Sequence, residues 1–116
     1  MSVIDVLVYF TSFAFVWYGI MAFTSAYMIS EFERYGLPKF RKLVGLLEIL
    51  GGLGLFIGTW IEVVFLLSAA GLSLLMVLGF ATRVYIRDSV LQSTPALFFA
   101  LLNAYFVYVY FTGSSL

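Results

Sequence analysis

Charged residues divide this chain into apolar stretches of membrane-crossing length. Val6–Ser30 is 25 residues without a charge. Leu43–Thr82 is 40 residues interrupted only by Glu48 and Glu62, and Ser89–Leu116 is 28 residues without a charge. A helix needs ~20 mostly apolar residues to cross ~30 Å of hydrocarbon. As one helix the middle stretch would run ~60 Å, about twice that thickness. It is therefore expected to fold back at Gly58-Thr59-Trp60, a helix-ending glycine beside an interfacial tryptophan. The pattern predicts an all-α polytopic membrane protein, a single domain over residues 1–116. Its expected form is a four-helix transmembrane bundle with spans at about 5–30, 41–58, 60–83 and 94–112. The first span reads as a retained helix and not a signal peptide, because no Lys or Arg precedes Arg34 and the apolar run is too long for an h-region.

The positions of the basic residues orient these spans. Arg34, Lys39, Arg41 and Lys42 lie between the first two spans, and Arg83 and Arg87 between the last two. The N-terminus, the 58–60 turn and the C-terminus have none. Cytoplasmic loops carry the Lys/Arg excess. This division therefore predicts loops 31–42 and 83–94 in the cytoplasm and both termini outside, in an inner (plasma) membrane. Tyr9, Trp60, Tyr108 and Tyr110 would then form the outer aromatic belt.

Composition agrees with the pattern and removes much chemistry. Apolar residues make up 64% and charged residues 10%, against ~45–50% and ~25% in soluble domains. The chain has no cysteine and no histidine, so thiolate or imidazole ligation of haem, iron–sulfur clusters or zinc is not expected. With six basic and six acidic residues the net charge is zero, and nothing suggests a nucleic-acid partner. No nucleophile–base pair and no phosphate-binding loop is visible, so no catalytic residue is assigned.

The second span carries the most specific pattern. Gly45, Gly51, Gly52 and Leu55 each fall within about 60° of Glu48 on a helical wheel at ~100° per residue. Gly54 and Gly58 form a GxxxG pair on the neighbouring face. Helices in lipid associate through small residues that let backbones approach, so these glycines are expected to pack helices, within the chain or across a homodimer seam.

Glu48 lies six residues past Lys42, roughly 9 Å below the basic end of its helix. A charge in mid-membrane costs ~2.5–3.5 kcal/mol on insertion scales, so it is expected to pair, meet water or be protonated. Asn103, eight residues past Pro95 and so roughly 12 Å deep, is one candidate partner. Arg83 at the end of span three and Ser25 near the end of span one are the others. Glu48, Asn103, Arg83 and Ser25 are thus expected to form one polar cluster, either structural glue or a ligand site. Glu62, near the outer interface, is within reach of headgroups. Asp5 and Asp88 read as ordinary helix-end or loop charges.

Several motifs in order resemble a known family. Gly36-Leu-Pro38 precedes a basic turn and Leu47-Glu48-Ile-Leu-Gly-Gly-Leu-Gly-Leu55. Ala69-Ala-Gly-Leu-Ser-Leu-Leu-Met76 then runs into Thr82-Arg83 and Arg87-Asp88, followed by Pro95-Ala-Leu97. Over roughly residues 15–105 this resembles the DoxX-like family of small four-helix membrane proteins. The resemblance implies an accessory protein or subunit of a membrane complex, with quinone-linked redox in some relatives. Quinone is the one cofactor it suggests. The expected partners are membrane lipids and other membrane subunits or a second copy. The alternative is a small proton-coupled transporter of the multidrug-resistance type using Glu48. The transporters of that class carry their glutamate in the first span, where this chain has only Asp5 at the outer end.

Overall fold

The computed structural model describes residues 2–112. Among them the chain is all-helical. Its order is α1 (Val3–Thr24), α2 (Ala26–Arg34), a 3-10 turn (Pro38–Phe40), α3 (Arg41–Ile57), α4 (Glu62–Tyr85) and α5 (Val90–Thr112). Three helices, α1, α4 and α5, are long and apolar enough to cross a membrane. α3 has 17 residues and spans only ~25 Å, so the four spans expected from the sequence are met here as three. The expected outer placement of the C-terminus concerns residues 113–116, which lie outside the described residues.

Each boundary has a local cause. Ser2 begins α1 with a capping box, its hydroxyl accepting from the Asp5 amide and the Asp5 carboxylate accepting from the Ser2 amide, both at 3.2 Å. The expected first span continued to residue 30, but the helix stops at Thr24. Ser25 is extended (φ −86°, ψ 127°), closes α1 and caps α2, its hydroxyl accepting from the Met28 amide. The break leaves the Ala22 carbonyl without its next-turn amide, and the Arg41 guanidinium donates to it at 2.5 Å. Gly58 ends α3 with φ −63°. The glycine is needed there for space and not for its backbone angle, because a side chain would collide with the Phe65 backbone on α4.

The ends of α2 and α4 share one geometry. Leu37 donates to the Phe32 carbonyl and Gly36 to Glu33, while Asp88 donates to Arg83 and Arg87 to Val84. Both are Schellman closures with a left-handed residue after the cap. That residue is Gly36 (φ 77°) after α2 and Arg87 (φ 61°) after α4.

α1, α3, α4 and α5 contribute to one core: Ile4, Val8 and Phe15, then Leu55, then Ala69 and Leu72, then Phe99 and Phe106. α3 packs between α1 and α4, α5 packs on α4, and Phe99 closes the far side by meeting Phe10, Phe15 and Tyr18 of α1. The cross-helix contacts run antiparallel. Gly19 lies against Ile49 and Gly52 against Ser12, then Gly51 against Leu72 and Gly54 against Ser68, with Ser73 donating to the Ala100 carbonyl. The outward faces stay apolar, as in Phe13, Leu50, Leu67 and Leu101, which suits lipid as solvent.

Candidate functional site

Glu48 sits near the middle of α3 and is 7% exposed. Its helix presents small residues to both neighbours, and so both can come close to it. A side chain at Gly45 or Gly52 would lie 2.8 Å from Ala22 or from the Ser12 carbonyl on α1. One at Gly51, Gly54 or Gly58 would strike Leu72, Ser68 or Phe65 on α4. The Ser12 hydroxyl donates to the Gly52 carbonyl at 2.6 Å, tying α1 to α3 beside this face. Gly19 serves the same approach from α1, a role the sequence reading did not assign.

Among the described residues, none donates a hydrogen bond to Glu48 and none forms an ion pair with it. The expected partners are placed as follows. Ser25 is spent on the joint between α1 and α2. Asn103 is fully buried, and its amide donates to the Phe99 carbonyl at 2.8 Å. Its Oδ1 is shielded from solvent and has no hydrogen-bond partner among the described residues.

The contacts Ser73–Ala100 and Phe65–Phe106 put Asn103 level with Ala69, and Gly51–Leu72 and Gly54–Ser68 put that level near Leu53. Asn103 therefore lies about five residues, or roughly 7–8 Å, along the axis from Glu48. Depth measured from Pro95 falls short for Asn103, because the helix begins before that proline. α5 starts at Val90, so Asn103 is about 13 residues, or roughly 20 Å, into its helix. Pro95 falls in the second turn, where the carbonyl it leaves unpaired belongs to exposed Leu91.

Arg83 lies on α4 toward the basic end from Glu48, whose level falls near Met76 by the Gly51–Leu72 and Gly54–Ser68 contacts. Its guanidinium turns back along α4, donating to the Gly79 carbonyl at 3.4 Å, and lies 5.3 Å over the Tyr35 ring. The same ring carries the Arg34 guanidinium, also at 5.3 Å. Arg34 in turn donates from Nε to Glu31 at 2.7 Å, and from both Nη atoms to Asp88 at 3.1 Å each.

This assembly joins α2 to the α4–α5 connection and puts both basic connections at one end of the molecule. The Asp88 side chain is 6% exposed and the Arg34 side chain 41%. The hydrogen bonds from Arg34 hold the Asp88 carboxyl below its ordinary value of 3.8 and raise the guanidinium in turn. Burial raises the half-buried Tyr35 phenol.

Tyr35 and the Glu31–Arg34–Asp88 bridge did not stand out in the sequence. Asp88 read as a loop charge and Arg34 as a topological one. The available signal was an acid and a base one turn apart facing an acid in the other connection on the same side.

No match was found among curated proteins, and none among solved structures. A family model described as DoxX-like matches residues 6–105. With its apolar membrane-crossing helices and that match over nearly the whole chain, this integral membrane protein belongs to the DoxX-like family.

Proposed function

We propose that the protein is an accessory subunit of a membrane complex, and that Glu48 holds a lipid-soluble, quinone-like ligand within the helix assembly. The observation that carries this reading is the buried Glu48 carboxyl with no hydrogen-bonding partner among the described residues. Carboxyl groups at membrane depth are costly and mark ligand or ion paths by default. One left without a protein partner is free for a partner brought by a ligand. α1, α3, α4 and α5 form a four-helix transmembrane bundle in this account, with α3 crossing at its minimum length. The Gly54–Gly58 pair packs α3 on α4 in GxxxG fashion. The six-to-zero division of Lys and Arg puts the 31–42 and 83–94 connections in the cytoplasm.

The test is purification in gentle detergent, with mass spectrometry of associated proteins and lipids. The reading expects a stoichiometric protein partner and a bound quinone-type lipid that is lost in Glu48→Gln. Uptake of a cation into proteoliposomes driven by a pH gradient, abolished by the same substitution, would replace it with the transporter reading.

A further inference from the structure

α2 is attached to the rest of the molecule in an unusual way for a helix of nine residues. At its start the backbone leaves helical geometry at the single residue Ser25, and the loose end of α1 is closed separately by Arg41. α2 can therefore change direction without unwinding α1, because the carbonyl freed at the break has its own donor. At its end α2 is held by side chains. Arg34 reaches across to Asp88, and Tyr35 lies between the Arg34 and Arg83 guanidinium groups. The series ends at Arg83, whose guanidinium turns back to the Gly79 carbonyl, about one turn toward the basic end from the level of Glu48 set by the Gly51–Leu72 and Gly54–Ser68 contacts.

The anchor on the far side is built with some strain. Asp88 is delivered by a left-handed Arg87, a conformation that favours glycine. A side-chain bond of this kind is weak and exchangeable compared with the packing of α3 on α1 and α4. Hinge positions are typically element-terminal residues that absorb the backbone change.

We propose that α2 is a hinged cover, pivoting at Ser25 and closed by the Arg34–Asp88 bridge, which controls access from the basic end to Glu48. This rests on the reading of Glu48 as the ligand-holding group and names what regulates it. In the closed form Tyr35 pins Arg83 back along α4, and the region above Glu48 is shut. When Arg34 releases Asp88, Tyr35 moves with α2 and frees Arg83. The way to the carboxyl then opens between α2 and the α4–α5 connection. A partner subunit that offers its own carboxylate to Arg34, or its own cation to Asp88, opens the cover by exchange.

The test uses a hydrophobic carbodiimide, which modifies membrane-embedded carboxyl groups, on the full-length protein in lipid. Labelling is read separately at Glu48 and Glu62 by peptide mass spectrometry. In Arg34→Gln, Glu48 is expected to label several-fold faster than in the unaltered protein, with Glu62 unchanged.

The chain has no cysteine, so the double variant Arg34→Cys/Asp88→Cys can be joined by a short reducible thiol cross-linker. Glu48 is expected to label slowly when the link is closed and several-fold faster after reduction. The two states are the same folded protein. Equal rates in the linked and reduced forms would overturn the proposal. So would equal acceleration at Glu48 and Glu62, which would show a general loosening. The labelling needs no native ligand, so it stays readable even if ligand binding proves independent of Glu48.

Discussion

The Arg34 guanidinium holds the Asp88 carboxylate through two parallel hydrogen bonds of 3.1 Å, across 54 residues of sequence. A planar donor pair matched to a planar acceptor pair fixes direction as well as distance. The two basic connections are thereby held at one level.

The pH response of this bridge has a definite sign. Hydrogen bonds from Arg34 lower the Asp88 pKa on folding, so its contribution is present above the ordinary value of 3.8 and fades as pH falls through the lowered one. Glu31, Tyr35 and Arg83 are the other titratable or charged groups around it. Carboxyl 13C NMR on aspartate-labelled protein is expected to show Asp88 titrating below 3.8, and returning toward it in Arg34→Gln. An Asp88 titration that Arg34→Gln leaves unmoved would mean the bridge does not form in solution.

The glycines divide into those that adjoin another helix and those that do not. Gly52→Ala puts a methyl 2.8 Å from the Ser12 carbonyl, which the backbone of α1 cannot readily yield. Such overpacking costs about 1–3 kcal/mol. Gly71 has nothing within 4 Å of a new methyl, and Gly71→Ala is expected to stabilise by up to ~1 kcal/mol through helix propensity. Reversible unfolding in mixed micelles measures both, and the same sign for the two would contradict the packing described.

Arg87 stands where the α4 closure calls for a left-handed residue, at φ 61°. Arg87→Gly is expected to stabilise by ~1 kcal/mol, by removing the Cβ penalty of that conformation. The corresponding change at the end of α2, Gly36→Ala at φ 77°, is expected to destabilise by a similar amount. Parallel unfolding curves for the two variants check the pair of signs.

Membrane orientation is tested with single cysteines in the cysteine-free chain. Ser30→Cys and Thr59→Cys sit at opposite ends of the helices. An impermeant maleimide added to intact cells is expected to label position 59 and leave position 30 unlabelled until the membrane is opened. The reverse pattern would invert the topology.

The helices themselves were legible in the sequence because the bilayer imposes a length that apolar runs reveal directly. So were the fold-back near residue 58 and the close approaches along α3. What the sequence hid were events of one or two residues. Ser25 breaks a run that is apolar on both sides, with no proline or glycine to mark it. Val90 starts α5 five residues before the proline that looked like its beginning, and that offset carried Asn103 away from Glu48. The Arg34–Asp88 bridge depends on how two closures aim their last side chains. No periodicity encodes that.

Glu48→Leu and Glu48→Gln separate stability from function. Among the described residues Glu48 has no hydrogen-bonding partner to strand, so neither change is expected to destabilise the protein by more than ~1 kcal/mol. Thermal unfolding in detergent checks this. A loss of several kcal/mol in Glu48→Leu would mean that the carboxyl is structural.

The most direct test of the account is the lipid content of the purified protein, measured by mass spectrometry for the unaltered chain and for Glu48→Gln in the same detergent. The account predicts a quinone-type lipid bound near one per chain in the first, and its loss from a still-folded Glu48→Gln. Equal retention of the lipid in both, or its absence from both, would contradict the assignment of Glu48 as the ligand-holding group.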